Sequence, residues 1–591
     1  MKTIKLINIE KSNVPKFDLE GVNAEFQELT SNLGLLGLPK FNADLSDFSR
    51  YDVKTIVRAT IVHRATNKWQ KPDPTTKSDR RKKSIRGWYA NEQRLKGLCR
   101  PGTRSTLSNA GLIGREVGYK VLRLLEQPVS LIDFGPGESF HSKRGDTSIL
   151  AKLEPENHSV SYDNLDLWVK LIITTRGLFK PYMQHWVRMN PKHVNRNRVI
   201  GKNWKEVIVR QVIDSLPDYI VQGSRQAFVD KDNDEDRVIE VNPLGDVVLQ
   251  KVLGNAFRKV LVEYGIDLDN NQQLHRDLIS DKSLATIDAS KASDTITAAH
   301  IQWLLPPKLY KIIIQLSQKF ILATTEDNCK EWVVQEKLCS MGSGFTFELL
   351  TLMFYSIGRI HTDQCWAYGD DLIVPRSVAP RVVESLELAG FIINRKKTFL
   401  DGPLSESCGA FHLETYGYIT CYGQTYCNNP VEAVAAINKL GRVLRDYKEN
   451  FGNDDFTVIL EKSHRKLLSI TNPAFLGPVT SRTDIPTWVE DSNYLKRQKK
   501  SSVMRACRSS NMEYIEGIAL NYQMKIEDYT LLLEFSLRNK VRLPPKQKIK
   551  YQALIYAYIK SNRRTKFEIK DRNPQVLIKL RLVDRDGFFV N

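Results

Sequence analysis

The sequence predicts an α+β fold, a small antiparallel sheet backed by helices, and three observations carry that reading. Between residues 280 and 430, short apolar runs alternate with longer stretches of helical spacing, the mark of strands and helices segregated into layers. Charges there are few and specific. At 591 residues the chain is also too long for one core, so roughly two to four domains or subdomains are expected.

The elements follow in order. LATID (284–288) is β-branched and apolar and ends at an aspartate, which predicts a strand. WLLPPKLYKIIIQLSQKF has helical spacing after its proline pair, and GFTFELLTLMFYSIGRI predicts a buried helix entered through glycines. CWAYGDDLIVP is two apolar runs joined at Gly369-Asp370, a hairpin signal. RVVESLELAG predicts a helix with a glycine stop, and FIIN a strand after it.

The net charge of +19 points to a polyanionic partner. Basic residues cluster: fifteen Lys/Arg against three acids from Val53 to Arg104, and eleven against one (Glu568) from Arg538 to Lys570. A third run begins at Leu495. Interleaved tyrosines suit RNA, since cations neutralise phosphate while rings offer stacking faces; a solvated helix face is the alternative for any single run. The most apolar stretch, Phe345 to Ile360, is 16 residues, carries Glu348, and falls short of the roughly 20 needed to cross a bilayer. No membrane partner is expected, and the N-terminus reads as lacking a signal peptide. The eight cysteines show no paired zinc spacing, and His361 with Cys365 is an isolated pair. Reduced thiols in a cytoplasm fit.

Chemistry concentrates at Tyr368-Gly369-Asp370-Asp371. Alone, that is a polar hairpin tip. Its flanks are apolar, however, and a strand 82 residues before Asp370 ends in Asp288. If that strand pairs with the hairpin, three carboxylates converge, an arrangement tolerated mainly where cations sit. Phosphoryl transfer with two Mg²⁺ requires such a donor set, with oxygen ligands for hard ions. Asp288 and Asp370 are read as the principal metal ligands and Asp371 as the third. Six residues beyond Asp288 lies Asp294, either a helix N-cap or an acceptor for the 2′-hydroxyl of an incoming ribonucleotide.

TIDASKASDTIT, SMGSGFTFELL, AYGDDLIVP, GFIINRKKTF and GPLSESCGAF occur in that order. They resemble motifs A to E of the RNA-dependent RNA polymerases of RNA bacteriophages, the levivirus-like, Q-beta-type replicase beta subunits. VDKDNDEDRVIEVNP (229–243) is similar to that family's motif F, GIDLDNNQQLHR (265–276) to its pre-palm segment, and FGPGESF (134–140) to an N-terminal signature. The similarity covers about residues 225–440.

The resemblance implies a right-hand polymerase with fingers, palm and thumb, its antiparallel palm sheet backed by helices. Residues 1–225 would form the N-terminal region and fingers, and 226–285 the motif F fingers and pre-palm. The palm would span 286–428, with a fingers insertion near 303–335, and 429–591 would be thumb and basic C-terminal region. Lys231 and Arg237 would neutralise the NTP triphosphate, although the five acids among residues 230–236 allow a salt-bridged loop instead. Gly342 would admit template or nucleotide closely, or simply open a helix, and Thr346 would stand near the ribose. Lys397, or else Lys396, would be the motif D general acid; Cys408 would be packing. The implied cofactor is Mg²⁺, two ions, with Mn²⁺ as a substitute. Implied partners are template and product RNA, NTPs, the host elongation factors Tu and Ts and a ribosomal RNA-binding protein, in the cytoplasm of an infected bacterium. A reverse transcriptase shares this logic, but Asp294 argues against a closed ribose pocket. A non-catalytic RNA-binding scaffold would explain the charge and not the carboxylates.

Overall fold

A computed structural model describes residues 18–41, 50–67, 74–98, 107–127, 132–135, 137–141, 151–191, 203–232, 234–423, 426–427, 430–470, 514–516 and 581–583. The basic runs that begin at Leu495 and Arg538, Cys99 and Cys507 lie outside the described residues.

The centre is a three-stranded antiparallel sheet with Asp371–Pro375 in the middle, Leu284–Ile287 on one side and Trp366–Tyr368 on the other. All four residues of Leu284–Ile287 are buried, as their unbroken apolar run requires of a strand covered on both faces. The helix Thr346–Arg359 packs against this sheet and buries nearly its whole length, including Leu349, Met353, Phe354 and Ile357. Its Glu348 is matched by Arg258 of the helix Leu244–Val262. The helix Ala379–Leu388 ends before Gly390, and Ile392–Ile393 then pairs with Ala289–Ser290. Phe399 bridges back to Thr286 with both backbone hydrogen bonds made, 3.0 and 2.8 Å. The sheet and helices expected for 280–430 are therefore present.

A four-stranded sheet stands beside this layer, in the order Asp236–Val241, Ser224–Asp230, Phe320–Thr324, Lys330–Val334. Residues 320–334 thus leave the central layer to complete a sheet begun a hundred residues earlier. Phe140 lies against it: Arg225 Nε donates to the Phe140 carbonyl at 2.9 Å. A separate core forms around Trp168, Tyr182, Trp186 and Ile208 from three helices between Leu165 and Ser215.

The helices Leu19–Gly34 and Val53–Asn67 pack with Pro430–Phe451, Asp455–Ile470 and the sheet Leu404–Ser407, Ala410–Leu413, Gly417–Tyr418. One core therefore joins the helices Leu19–Gly34 and Val53–Asn67 to those between Pro430 and Ile470. Among the described residues no helix is long and apolar enough to cross a membrane. His361 bonds Ser385 at 2.8 Å and Cys365 is buried, so that pair is packing.

Candidate active site

Strand register assembles the carboxylates. Ile287 pairs with Leu372 and the strands run antiparallel, so the next residues outward, Asp288 and Asp371, stand opposite one another. Asp370 follows at the hairpin turn, where Gly369 takes φ +65°. A Cβ on Gly369 would lie 2.6 Å from the Phe347 ring, and its N–H donates to Thr351 Oγ1 at 2.9 Å. The buried helix thus holds the acidic turn in place.

The three aspartates are half-buried, and their proton affinities show the crowding. Burial, then the nearby Asp288 charge, pushes the Asp370 carboxyl up to about 6. Burial and the charges of Glu406, Asp370 and Asp288 raise Asp371 well above the ordinary carboxylate range. Burial raises Asp288 too, against the opposing pull of Lys397 and of an Asn394 amide donating at 2.7 Å. Asn394 N–H also donates to the Asp288 carbonyl at 2.9 Å, and Asp288 N–H to Thr398 Oγ1 at 3.2 Å. The FIINRKKTF segment therefore cradles the end of the Asp288 strand.

Among the described residues, no group of three or more His, Cys, Asp and Glu stands ready as a metal-ligand set. Asp288 is turned to Asn394, and Asp371 accepts from Cys408 Sγ at 3.5 Å. The donor chemistry nonetheless fits hard divalent ions: oxygen only, crowded, and mutually repelling until a cation intervenes.

The same segment separates its two lysines. Lys396 is exposed, whereas Lys397 is half-buried among the carboxylates. Burial lowers the proton affinity of Lys397, but Glu406, Asp288 and Asp371 outweigh it and raise it. Glu406 is a fourth carboxylate, missed in the sequence. It is 4% exposed, accepts from Gly409 N–H at 2.9 Å, and is raised by burial against the pull of Lys397. Nothing local marks it: LSES is mostly polar in sequence, and only the fold shows a strand buried at all four positions.

Two cations face this nest from the Ser224–Asp230/Asp236–Val241 hairpin. The charge of Arg237 reaches Asp370 and that of Lys231 reaches Asp288. Both are exposed, although Lys231 also pairs with Glu235 at 3.2 Å. Among the described residues, four of the five acids in this segment, all but Asp234, have partners for their carboxylates. Asp236 is bonded by Arg80 Nε at 3.3 Å and by its own N–H to Ser84 Oγ at 2.9 Å, and Asp232 Oδ1 accepts the N–H groups of Asp234 and Glu235. Arg80 and Ser84 belong to the long basic helix Pro74–Leu98. Part of that basic run thus ties protein to protein: Arg80 goes to Asp236, and Arg94 to the Gly390 carbonyl at 2.9 Å. Lys77, Lys82 and Lys83 remain exposed.

Asp294 is not the N-cap. Thr297 caps the helix Ala298–Leu304, with His300 closing the capping box. Asp294 instead ion-pairs with Lys337 at 2.8 Å. In the glycine loop, Gly342 has φ +120°, and a Cβ there would fall on the carbonyl oxygen of Glu240; the close approach is to protein. Gly344 N–H donates to Gln250 Oε1 at 3.0 Å, and Thr346 Oγ1 to the Ser340 carbonyl at 2.9 Å. The loop therefore lies flush on the hairpin and on Leu244–Val262.

This is a carboxylate site under a cationic hairpin, on an antiparallel sheet within a mixed helix-and-sheet fold. Residues 194–467, which hold every feature of it except the Pro74–Leu98 helix, match the model of the family described as RNA replicase, beta-chain. The chain is 39% identical over 203 residues to the RNA-directed RNA polymerase beta chain of Enterobacteria phage fr (33% of this chain, 36% of that one). It is 38% identical over 200 residues to that of Escherichia phage MS2 (32% and 36%). To the RNA-directed RNA polymerase subunit beta of Escherichia virus Qbeta it is 33% identical over 231 residues (37% and 38%). The chain thus spans little more than a third of the length of these relatives. A solved RNA-dependent RNA polymerase of a human picorbirnavirus aligns at TM-score 0.30 and 13% identity, over 48% of this chain and 62% of that one, too distant a likeness to bear on the fold.

Proposed function

We propose that this chain is the catalytic subunit of an RNA-dependent RNA polymerase that copies a single-stranded RNA phage genome. The observation that carries it is the strand register that sets Asp288 opposite Asp371, with Asp370 at the adjoining turn. The phage relatives, named as RNA-directed RNA polymerases, support the same reading. In it the central sheet with its helices is the palm, and the four-stranded sheet belongs to the fingers. The helices from Pro430 onward begin the thumb, joined there by Leu19–Gly34 and Val53–Asn67.

Asp288, Asp370 and Asp371 would hold Mg²⁺. Bound there, such ions neutralise charge at the attacking 3′-oxygen and the leaving pyrophosphate. Arg237, with Lys231, receives the triphosphate of the incoming NTP, cations meeting phosphate oxygens where charge develops. Asp294 accepts the ribose 2′-hydroxyl. Gly342 and Thr346 keep the loop below the nucleotide in one shape. Lys397 holds its proton at Nζ among three carboxylates and is placed to deliver it to pyrophosphate as that group leaves.

Template RNA, product RNA and NTPs are the partners this chemistry needs. The relatives' names, beta chain and subunit beta, describe one member of an assembly. We carry over the same expectation here, with the translation factors Tu and Ts and a ribosomal RNA-binding protein as candidates, in the cytoplasm of the infected cell. The test is incorporation of labelled NTPs on a short RNA primer–template with Mg²⁺, beside Asp370→Asn. Template-dependent extension lost in the mutant supports the proposal. No extension, even with bacterial extract and Mn²⁺, overturns it.

A further inference from the structure

Lys337 is a charge in an unusual place. Its side chain is 2% exposed, and its Nζ donates to Asp294 Oδ1 at 2.8 Å, while the Asp294 side chain keeps 19% exposure. An ammonium so deeply buried is costly unless paired, and a methionine would fill similar space without that cost. What the lysine adds is direction: one oxygen of Asp294 is tied inward while the carboxylate stays partly open to solvent.

The pair is fastened from behind by the helix Pro74–Leu98. Asn91 Nδ2 donates to the Asp294 carbonyl at 2.8 Å, and Arg94 Nη2 to Thr295 Oγ1 at 2.9 Å. Glu92 Oε2 accepts the N–H groups of Glu336, at 2.7 Å, and Lys337, at 3.4 Å. The Trp88 ring lies 5.6 Å from Lys337 Nζ. Glu92 Oε1 is buried without a hydrogen-bond partner among the described residues, so a second carboxylate shares the field of the same lysine. Asp294 is thus held through its side chain and through its backbone.

We propose that Lys337 is a positioning residue for ribose selection: it fixes Asp294 so that the free carboxylate oxygen meets the 2′-hydroxyl of an incoming NTP. This rests on the ribonucleotide polymerase reading above. A carboxylate free to rotate accepts from water as readily as from a sugar. A fixed one leaves an unmet acceptor when the hydroxyl is missing, and sites built that way reject the deoxy analogue by as much as ~10⁴-fold.

The experiment compares kcat/KM for ribo- and deoxynucleotides on an RNA primer–template in the wild type, Lys337→Met, Lys337→Arg and Asp294→Ala. Lys337→Met is expected to lower the ribose preference by about tenfold or more, with ribonucleotide use falling more than deoxynucleotide use. Lys337→Arg restores most of the preference. Equal losses for both sugars would make Lys337 merely structural and overturn the proposal. If Asp294→Ala loses the preference while Lys337→Met keeps it, the proposal fails and the ribose role of Asp294 stands. If neither changes it, that role fails as well. Should Lys337→Met not fold, Glu92→Gln loosens the lysine from behind; a smaller drop in preference is expected, and an unchanged ratio counts against the idea. If the wild type extends nothing, calorimetric binding of ATP and 2′-deoxyATP decides, and equal affinities overturn the proposal.

Discussion

Arg80 Nε lies 3.3 Å from the Asp236 carboxylate, and both side chains are buried, at 5% and 1% exposure. This pair fixes the turn end of the hairpin whose Arg237 faces Asp370. Breaking a buried pair from one side strands a charge, at a cost of about 3 kcal/mol or more. Arg80→Met should lower the unfolding free energy by that order and raise the KM for NTPs. Arg80→Met with Asp236→Leu should recover most of the stability, as read by denaturant titration. A single mutant as stable as the wild type would refute the tie.

Glu406→Gln tests the fourth carboxylate. Glu406 leads the charges that raise Lys397, so removing its charge lowers the lysine's proton affinity. If Lys397 is the proton donor, the alkaline limb of the extension rate moves to lower pH. An alkaline limb that stays in place would exclude Lys397 from that role.

Asp454 ties the core that Leu19–Gly34 and Val53–Asn67 share with the helices after Pro430. Burial opposes its ionisation, but Lys54 at 2.8 Å, the Thr457 N–H at 2.9 Å, Arg58 at 2.8 Å and Tyr447 outweigh it and hold it far below the ordinary range. A carboxylate so depressed stabilises the fold above its unfolded pKa, about 4, and that contribution fades as pH falls. Asp454→Asn should melt below the wild type at pH 7, with the gap narrowing under acid. A gap that widens would contradict the assignment.

Gly342→Ala should cost more than Gly265→Ala. Both positions have positive φ, +120° and +77°, so each carries backbone strain of about 1 kcal/mol or more. At Gly265 a Cβ meets nothing, whereas at Gly342 it meets the Glu240 backbone. Comparable melting temperatures for the two mutants would show that the loop can move aside.

How much of this was legible from residues alone depended on sequence distance. Asp288, Asp370 and the hairpin could be read because each announces itself in a local apolar run, and antiparallel pairing then dictates their meeting. Lys337 and Glu406 could not, because their roles depend on a helix at 74–98 and a strand at 404–407 arriving from elsewhere. The basic run from Val53 read as RNA-facing in bulk. Composition cannot say which way a helix turns its charges, and Arg58, Arg80 and Arg94 point inward to partners. The N-cap reading of Asp294 failed for a local reason: Thr297, three residues on, is the better cap.

The core shared by Leu19–Gly34 and the helices after Pro430 sets a schedule for synthesis. Val22, Phe26, Leu29 and Leu33 are buried there, yet their covering partners leave the ribosome roughly 400 residues later. At about 5–20 residues per second, the newborn chain carries an uncovered greasy stripe for tens of seconds. Its assembly line ends where it began, and any stall before residue 470 leaves that stripe open to chaperones or to other nascent chains.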